Sequence, residues 1–150
     1  MHKVVIIGAN GLVGKALSHL LQNKEDIRVI NITRDNIDDF SSFDCDILIN
    51  ANGSGKKGWC NEHPSKSFEI NCSSIYKTFS NFSPKRYILI SSVDVYPKTK
   101  YKNETIEEQI INTDSLCPYC LHKYFAELIV INNFSNSLIL RLSNVIGPEL

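Results

Sequence analysis

The chain has 150 residues with sixteen basic and sixteen acidic side chains, a length that supports one domain burying roughly two-thirds of its unfolded surface. The neutral balance gives no reason to expect nucleic acid or an anionic membrane as a partner. No apolar run approaches the roughly 20 residues of a membrane span, the N-terminus starts a core strand rather than a signal peptide, and five irregularly spaced cysteines suit a reducing compartment, so the expected location is the cytoplasm.

Lys3-Val4-Val5-Ile6-Ile7 carries a continuous apolar run of β-branched residues, the mark of a strand buried on both faces. Gly8-Ala9-Asn10-Gly11-Leu12-Val13-Gly14 follows at once. Leu12, Val13, Ala16, Leu17, Leu20 and Leu21 then recur at helical spacing. In this strand, turn and helix, Gly8 can take the tight turn and Gly11 lets the backbone approach a pyrophosphate. Gly14 lets the helix lie close to the strand, and the helix N-terminus faces the phosphates. The spacing is G-x-x-G-x-x-G rather than the common G-x-G-x-x-G.

Ile27 to Thr33 reads as the second strand, ending at Arg34-Asp35. An acid at the end of this strand would bind the ribose hydroxyls, whereas a cation suits a 2′-phosphate. Asn31 stands where the acid is expected and Arg34 follows, which leans to NADP over NAD, although Arg34 reads equally well as a solvated loop cation. Only eleven residues, Asp35 to Cys45, separate Arg34 from the next strand, Asp46 to Ala51. A helix, strand and helix do not fit there, so the third strand of a six-stranded dinucleotide fold is expected to be trimmed to a crossover with one short helix over 37–43.

Asn50-Ala51-Asn52-Gly53-Ser54-Gly55 leaves that strand at the edge where α/β sheets bind ligands. The following Lys56-Lys57 could meet phosphate or be a solvated loop, and Trp59 is read in a polar loop, covering a cofactor or packing. Pro64 opens a helix with a Phe68, Cys72, Ile75 and Phe79 stripe and Asn71 at its margin. Pro84 ends it, and Arg86 to Ser92 is the next strand. Pro97 to Leu116 is polar and aperiodic, a surface excursion over the ligand side. A helix follows over about 117–132, then the strand Ser137 to Leu142.

Tyr119 and Lys123 lie four apart on one face of that helix, with Leu121, Phe125 and Leu128 opposite, expected to seat it. Ser91 and Ser92 end a central strand at the edge that bears the glycine turn. A phenolate there could take a proton from a sugar hydroxyl while hydride leaves its carbon, and a serine could bond the same oxygen. Working near neutrality requires the phenol to fall by roughly three pKa units, about 4 kcal/mol, which a nearby ammonium and a positive nicotinamide could together supply.

With these residues the chain resembles the extended short-chain dehydrogenase/reductases, the NAD(P)-dependent epimerase/dehydratase group that acts mainly on nucleotide sugars. The resemblance rests on the glycine turn and on Asn50-Ala51-Asn52-Gly53 in place of an Ala-rich loop. It also rests on Ser91-Ser92-Val93-Asp94-Val95-Tyr96, on Tyr119 and Lys123, and on Arg141-Leu142-Ser143-Asn144-Val145-Ile146-Gly147-Pro148, where the family has Tyr at Ile146. It implies a doubly wound parallel α/β sheet of the Rossmann type with about five strands. One domain would span 1–150, without a separate substrate domain or the family's C-terminal substrate-binding part. It implies Ser92 as catalytic hydroxyl, Tyr119 as acid/base, and Lys123 as the group that lowers the Tyr119 pKa and holds the nicotinamide ribose. Gly8, Asn10, Gly11, Leu12, Gly14, Arg34, Ala51, Asn52, Gly53 and Asn71 would complete the NAD or NADP site. A nucleotide sugar would be the substrate, with hydride transfer the shared step of the epimerase, dehydratase and reductase outcomes. The helices around 64–82 and 117–132 would form a homodimer.

Two other readings stand beside this one. A non-catalytic dinucleotide-binding or scaffold domain follows if the substrate-binding part is lacking. Cys117-Pro118-Tyr119-Cys120 is the redox motif of glutaredoxins, at a helix start that would stabilise a thiolate. Glutaredoxins place it directly after an early core strand, whereas here it comes late, after the polar stretch Glu107 to Ser115, which disfavours thiol exchange. A zinc site from Cys60, His63, Cys117 and Cys120 is disfavoured by the long gap between its two pairs, so no metal is expected. His2, His19, His63 and His122 read as surface or packing residues.

Overall fold

The computed structural model describes residues 1–145. Five strands, β1 (His2–Ile7), β2 (Ile27–Ile32), β3 (Phe43–Asn50), β4 (Phe82–Ser92) and β5 (Ser137–Leu142), form one parallel sheet in the order β2-β1-β3-β4-β5. The chain winds outward in one direction from β1 to β2 and in the other from β3 to β5. The carboxyl ends of β1 and β3 therefore flank the crevice in which such sheets take ligands. No helix among the described residues is long and apolar enough to cross a membrane.

Alternation along β1 builds two cores, which is why its sequence is apolar without a break. Val4 and Ile6 face Leu17 and Leu21 of α1 (Leu12–Leu21). Val5 and Ile7 join Leu48, Ile75, Tyr87, Leu89, Ala126 and Val130 on the other side. That side carries α2 (Lys57–Glu62), α3 (Pro64–Phe68), α4 (Ser74–Asn81) and α5 (Pro118–Asn133). The third strand is trimmed as expected, since β2 reaches β3 with a single 3-10 turn, Ile37–Asp39, in between.

That turn is shorter than the helix expected over 37–43, and β3 starts earlier than Asp46. The cause is an aromatic cluster: Phe43 lies edge-on to Phe40 at 5.4 Å and to Phe82 at 6.4 Å, and Phe43 pairs with Phe82 in register. β4 consequently begins at Phe82, with Pro84 inside the strand opposite Cys45. Pro84 breaks nothing there, because β5 joins only at Tyr87 and the missing N–H falls on a stretch that is still an edge.

Residues 57–62, expected in a loop, form α2, and Trp59 stacks on His63 one turn later with ring centroids 4.9 Å apart. The helix opened by Pro64 continues to Asn81, but Glu69–Ser73 between α3 and α4 is a widened π turn carrying the buried Asn71 and Cys72. Such turns concentrate at functional sites.

The phase of α5 differs from expectation. Tyr119, Cys120, His122, Lys123, Ala126, Glu127 and Val130 are its buried residues, whereas Leu121 and Phe125 are half-buried and Leu128 is exposed. The polar face seats the helix, because its polar atoms find partners in β4, β5 and the π turn.

His122 is one of these, buried with Nδ1 2.8 Å from Ser67 Oγ, and burial holds its imidazole below the usual range. Acidification charges the unfolded chain first, so stability should fall as pH drops through about 6.5 and level off below the folded-state value. Thermal unfolding of the parent and His122→Gln between pH 8 and 5 checks this, with the smaller loss expected in the variant.

Candidate functional site

The glycine turn is built on two backbone approaches. Gly8 sits at φ +79°, and a Cβ on it would lie 2.8 Å from the Asn52 nitrogen, so this turn abuts the loop after β3. A Cβ on Gly14 would run into the Gly8 carbonyl oxygen, with the Gly8 carbon at 2.8 Å and Ala9 Cα at 2.9 Å. Gly14 therefore sets how closely α1 approaches the end of β1. Gly11 is the exposed N-cap of α1, with no side-chain cap and no acid in the first turn. Its own Cβ would stand 3.2 Å from the Gly8 oxygen. Asn10 is exposed beside it, and Leu12, half-buried, starts the helix. Together they leave an uncapped, positively polarised helix end open to an anion.

The Ile32 carbonyl at the end of β2 accepts from the amides of Gly8 and Ala9 at 2.9 and 3.1 Å. Arg34 follows two residues later, exposed on a turn in which Asn36 Oδ1 accepts from Thr33 N at 2.7 Å. Asn31, placed where an acid was sought, accepts from Ser18 of α1 at 2.6 Å.

The loop Ala51-Asn52-Gly53 is fixed from below. Ala51 N donates to Ile7 O at 3.0 Å. Asn50, buried, accepts from Asn52 N at 3.0 Å and donates to Tyr87 Oη at 2.8 Å, which lies 2.9 Å from Thr78 Oγ1. Burial pushes the Tyr87 phenol up to about 12. Asn71 holds the loop from the side: its Oδ1 accepts from Ser54 N at 3.2 Å, while its Nδ2 donates to Ser67 O at 3.0 Å. A Cβ on Gly53 would stand 2.8 Å from Asn71 Oδ1 and 3.7 Å from Lys123 Nζ, so loop, π turn and α5 meet at one point.

Lys123 is only 7% exposed, and its Nζ donates to Ile90 O of β4 at 3.0 Å. Burial lowers its pKa, and Glu127 one turn along opposes the drop. Ser92 ends β4 and accepts from Asp94 N at 3.1 Å, and its hydroxyl draws the Tyr119 pKa down. Burial raises the Tyr119 pKa and outweighs the pull of Ser92, with Asp94 pushing it further up. In the chain alone the phenol thus stands above its ordinary value, because Tyr119 packs in the apolar cluster of Cys60, Cys120 and Trp59 while the Lys123 ammonium is turned to a backbone carbonyl.

Sequence reasoning missed the group that organises this face. Glu127, 1% exposed, accepts from Ser91 Oγ at 2.5 Å and from Arg141 Nη2 and Nε at 2.7 and 3.1 Å. The Arg141 guanidinium lies 4.7 Å over the Tyr96 ring. The signal was the spacing of Tyr119, Lys123 and Glu127, four residues apart on one helical stripe. Ile146, Gly147 and Pro148 of the final segment lie outside the described residues.

A cavity of about 580 Å³ opens at the start of α5, lined by Lys57, Asp94, Tyr96, Leu116, Cys117 and Cys120 among others. Lys57 and Asp94 pair across it at 3.4 Å. Among the described residues no cluster of three or more His, Cys, Asp or Glu side chains could hold a metal ion.

The fold recurs in solved structures that this chain spans to little more than half their length. RMD of Pseudomonas aeruginosa, complexed with NADPH, superposes with a TM-score of 0.81 at 23% identity over 99% of this chain and 56% of that one. A UDP-N-acetylglucosamine 4-epimerase of Methanobrevibacter ruminantium gives 0.78 at 17% identity over 98% and 56%. A dTDP-4-dehydrorhamnose reductase of Clostridium acetobutylicum gives 0.75 at 19% identity over 97% and 55%. No curated protein sequence matches the chain. The sequence profile of the NAD dependent epimerase/dehydratase family matches residues 4–149, and the chain belongs to that family.

Proposed function

We propose that this chain is the NAD(P)-binding part of an epimerase, dehydratase or reductase that acts on a nucleotide sugar through Ser92, Tyr119 and Lys123. The observation that carries the reading is the meeting of Ser92, Tyr119, Lys123, Asn71 and Gly53 at the sheet edge that also bears the glycine turn. The residues present fit a dinucleotide. Gly11 leaves an uncapped helix end free for a pyrophosphate, and the Ala51-Asn52-Gly53 loop and Asn71 wall the space between that end and Lys123.

In this reading Ser92 holds the reacting oxygen, Tyr119 takes or gives its proton, and Lys123 leaves the Ile90 carbonyl to hold the ribose and stabilise the phenolate. A bound nicotinamide supplies the hydride acceptor or donor. The UDP-sugar and dTDP-sugar names of the structural neighbours support the substrate class. The NADPH in one neighbour and Arg34 in this chain support NADP over NAD. The exposed Tyr76, Leu128 and Ile131 on α4 and α5 support pairing of two copies across these helices.

Calorimetric titration with NADPH and then NADH tests the cofactor, with micromolar binding expected, NADPH tighter, and loss of both in Gly11→Val shown folded by circular dichroism. Saturating NADP⁺ should then bring tyrosinate absorbance in at lower pH in the parent and not in Tyr119→Phe. Binding without that shift would leave a cofactor domain that does no acid/base work, and no binding by the folded chain would overturn the reading.

A further inference from the structure

The proposed hydride chemistry makes no use of the two cysteines that bracket Tyr119. Cys117 is the N-cap of the sixteen-residue α5, in extended conformation, with Pro118 fixing the first helical position and no side-chain cap. Cys120 follows one turn later, and the two Sγ atoms are 3.0 Å apart, both as free thiols. Their surroundings differ. Both line the cavity, but Cys117 is half-buried whereas Cys120 is only 4% exposed.

Partial burial pushes the Cys117 thiol up. The Cys120 thiol and amide, the Lys57 ammonium and Asn61 pull it below the ordinary value on balance. Burial, reinforced by Cys117, holds Cys120 up at about 12. The other thiols are sheltered: Cys45 and Cys72 are buried and pushed up to about 11, and Cys60 is fully buried with its Sγ on Ser54 O at 3.8 Å.

We propose that Cys117 and Cys120 are a redox-active dithiol at the cavity rim, whose substrate class is low-molecular-weight disulfides such as oxidised glutathione. The Cys117 thiolate attacks one sulfur of the incoming disulfide, forming a mixed disulfide and expelling one thiolate. Cys120 gives up its proton and attacks Cys117 Sγ, forming the Cys117–Cys120 disulfide and releasing the second thiol. The protein dithiol loses two electrons and two protons, and one small disulfide becomes two small thiols. Cys117 attacks because it is the accessible thiolate, and Cys120 resolves because it is already in contact.

The test treats the reduced full chain with oxidised glutathione at mildly alkaline pH, quenches with an alkylating agent, and maps the cysteines by mass spectrometry. A Cys117–Cys120 disulfide is expected, with Cys45, Cys60 and Cys72 alkylated. Cys120→Ser should stop at a stable glutathione adduct on Cys117, and Cys117→Ser should take up none. A Cys60–Cys120 pairing, a parent chain that ends as a mixed disulfide, or equal modification of all five thiols would overturn the proposal. The mapping of the parent chain decides even where a serine variant does not fold.

Discussion

Gly14→Ala should cost about 3 kcal/mol of stability or more, at the upper end of what forcing one methyl into a packed backbone contact costs. For a chain of this size that is a fall of roughly 10 °C in Tm, read by thermal unfolding without cofactor. The added Cβ meets the Gly8 carbonyl and Ala9 Cα, and backbone cannot rotate away as a side chain could. Relief therefore requires α1 to slide from the end of β1, which would also tilt the helix end away from an anion at Gly11. Gly58→Ala is the matched control: Gly58 lies in α2 with nothing within 4 Å of its Cβ position. It should gain up to about 1 kcal/mol from helix propensity. If the two variants unfold at the same temperature, the close approach of α1 to β1 does not carry the turn.

The same glycines show why so much of the fold was legible in the sequence. Gly14 and the unbroken Val4 to Ile7 run each have one physical use, a close helix crossing and a strand covered on both faces, so residue type nearly determines placement. The short gap after Arg34 excluded a strand by length alone. Residues with two uses were read less well. Pro84 ends a helix or sits on a free stretch of strand, and only the late start of β5 decides. Leu121, Phe125 and Leu128 repeat at helical spacing, but so does the stripe from Tyr119 to Val130. Apolar spacing favoured the first, and the buried partners of Lys123 and Glu127 favoured the second. The buried roles of Asn50 and Thr78 could not be read for the same reason, because their burial depends on a Tyr87 hydroxyl brought from another strand. In the candidate site, residue types suggested a chemistry, whereas the side chains that hold those residues still could not be read from them.

Glu127 is where that difference should have its largest measurable effect. Glu127→Ala should cost about 3–5 kcal/mol, the usual penalty for removing one partner of a buried, hydrogen-bonded ion pair. Arg141 keeps some reach to solvent, with 18% of its side chain exposed, which favours the lower end. Truncation leaves the Arg141 guanidinium and the Ser91 hydroxyl without their shared acceptor, and it removes the charge that opposes the fall in the Lys123 pKa. Glu127→Gln separates these effects. The amide keeps the volume and one acceptor oxygen, so the stability loss should be smaller than for alanine. The charge is still gone, so Lys123 should deprotonate at lower pH. Urea unfolding of both variants reads the first effect, and the pH dependence of Lys123 amine labelling reads the second, with Lys123→Met identifying the signal. Arg141→Met added to Glu127→Leu should recover much of the loss, since an apolar pair of similar volume leaves no charge unpaired. Equal stability of parent and Glu127→Ala would mean that Arg141 is held by its stacking on Tyr96 and that the carboxylate does not tie β5 to α5, and an unchanged labelling profile in Glu127→Gln would mean that it does not support the charge on Lys123.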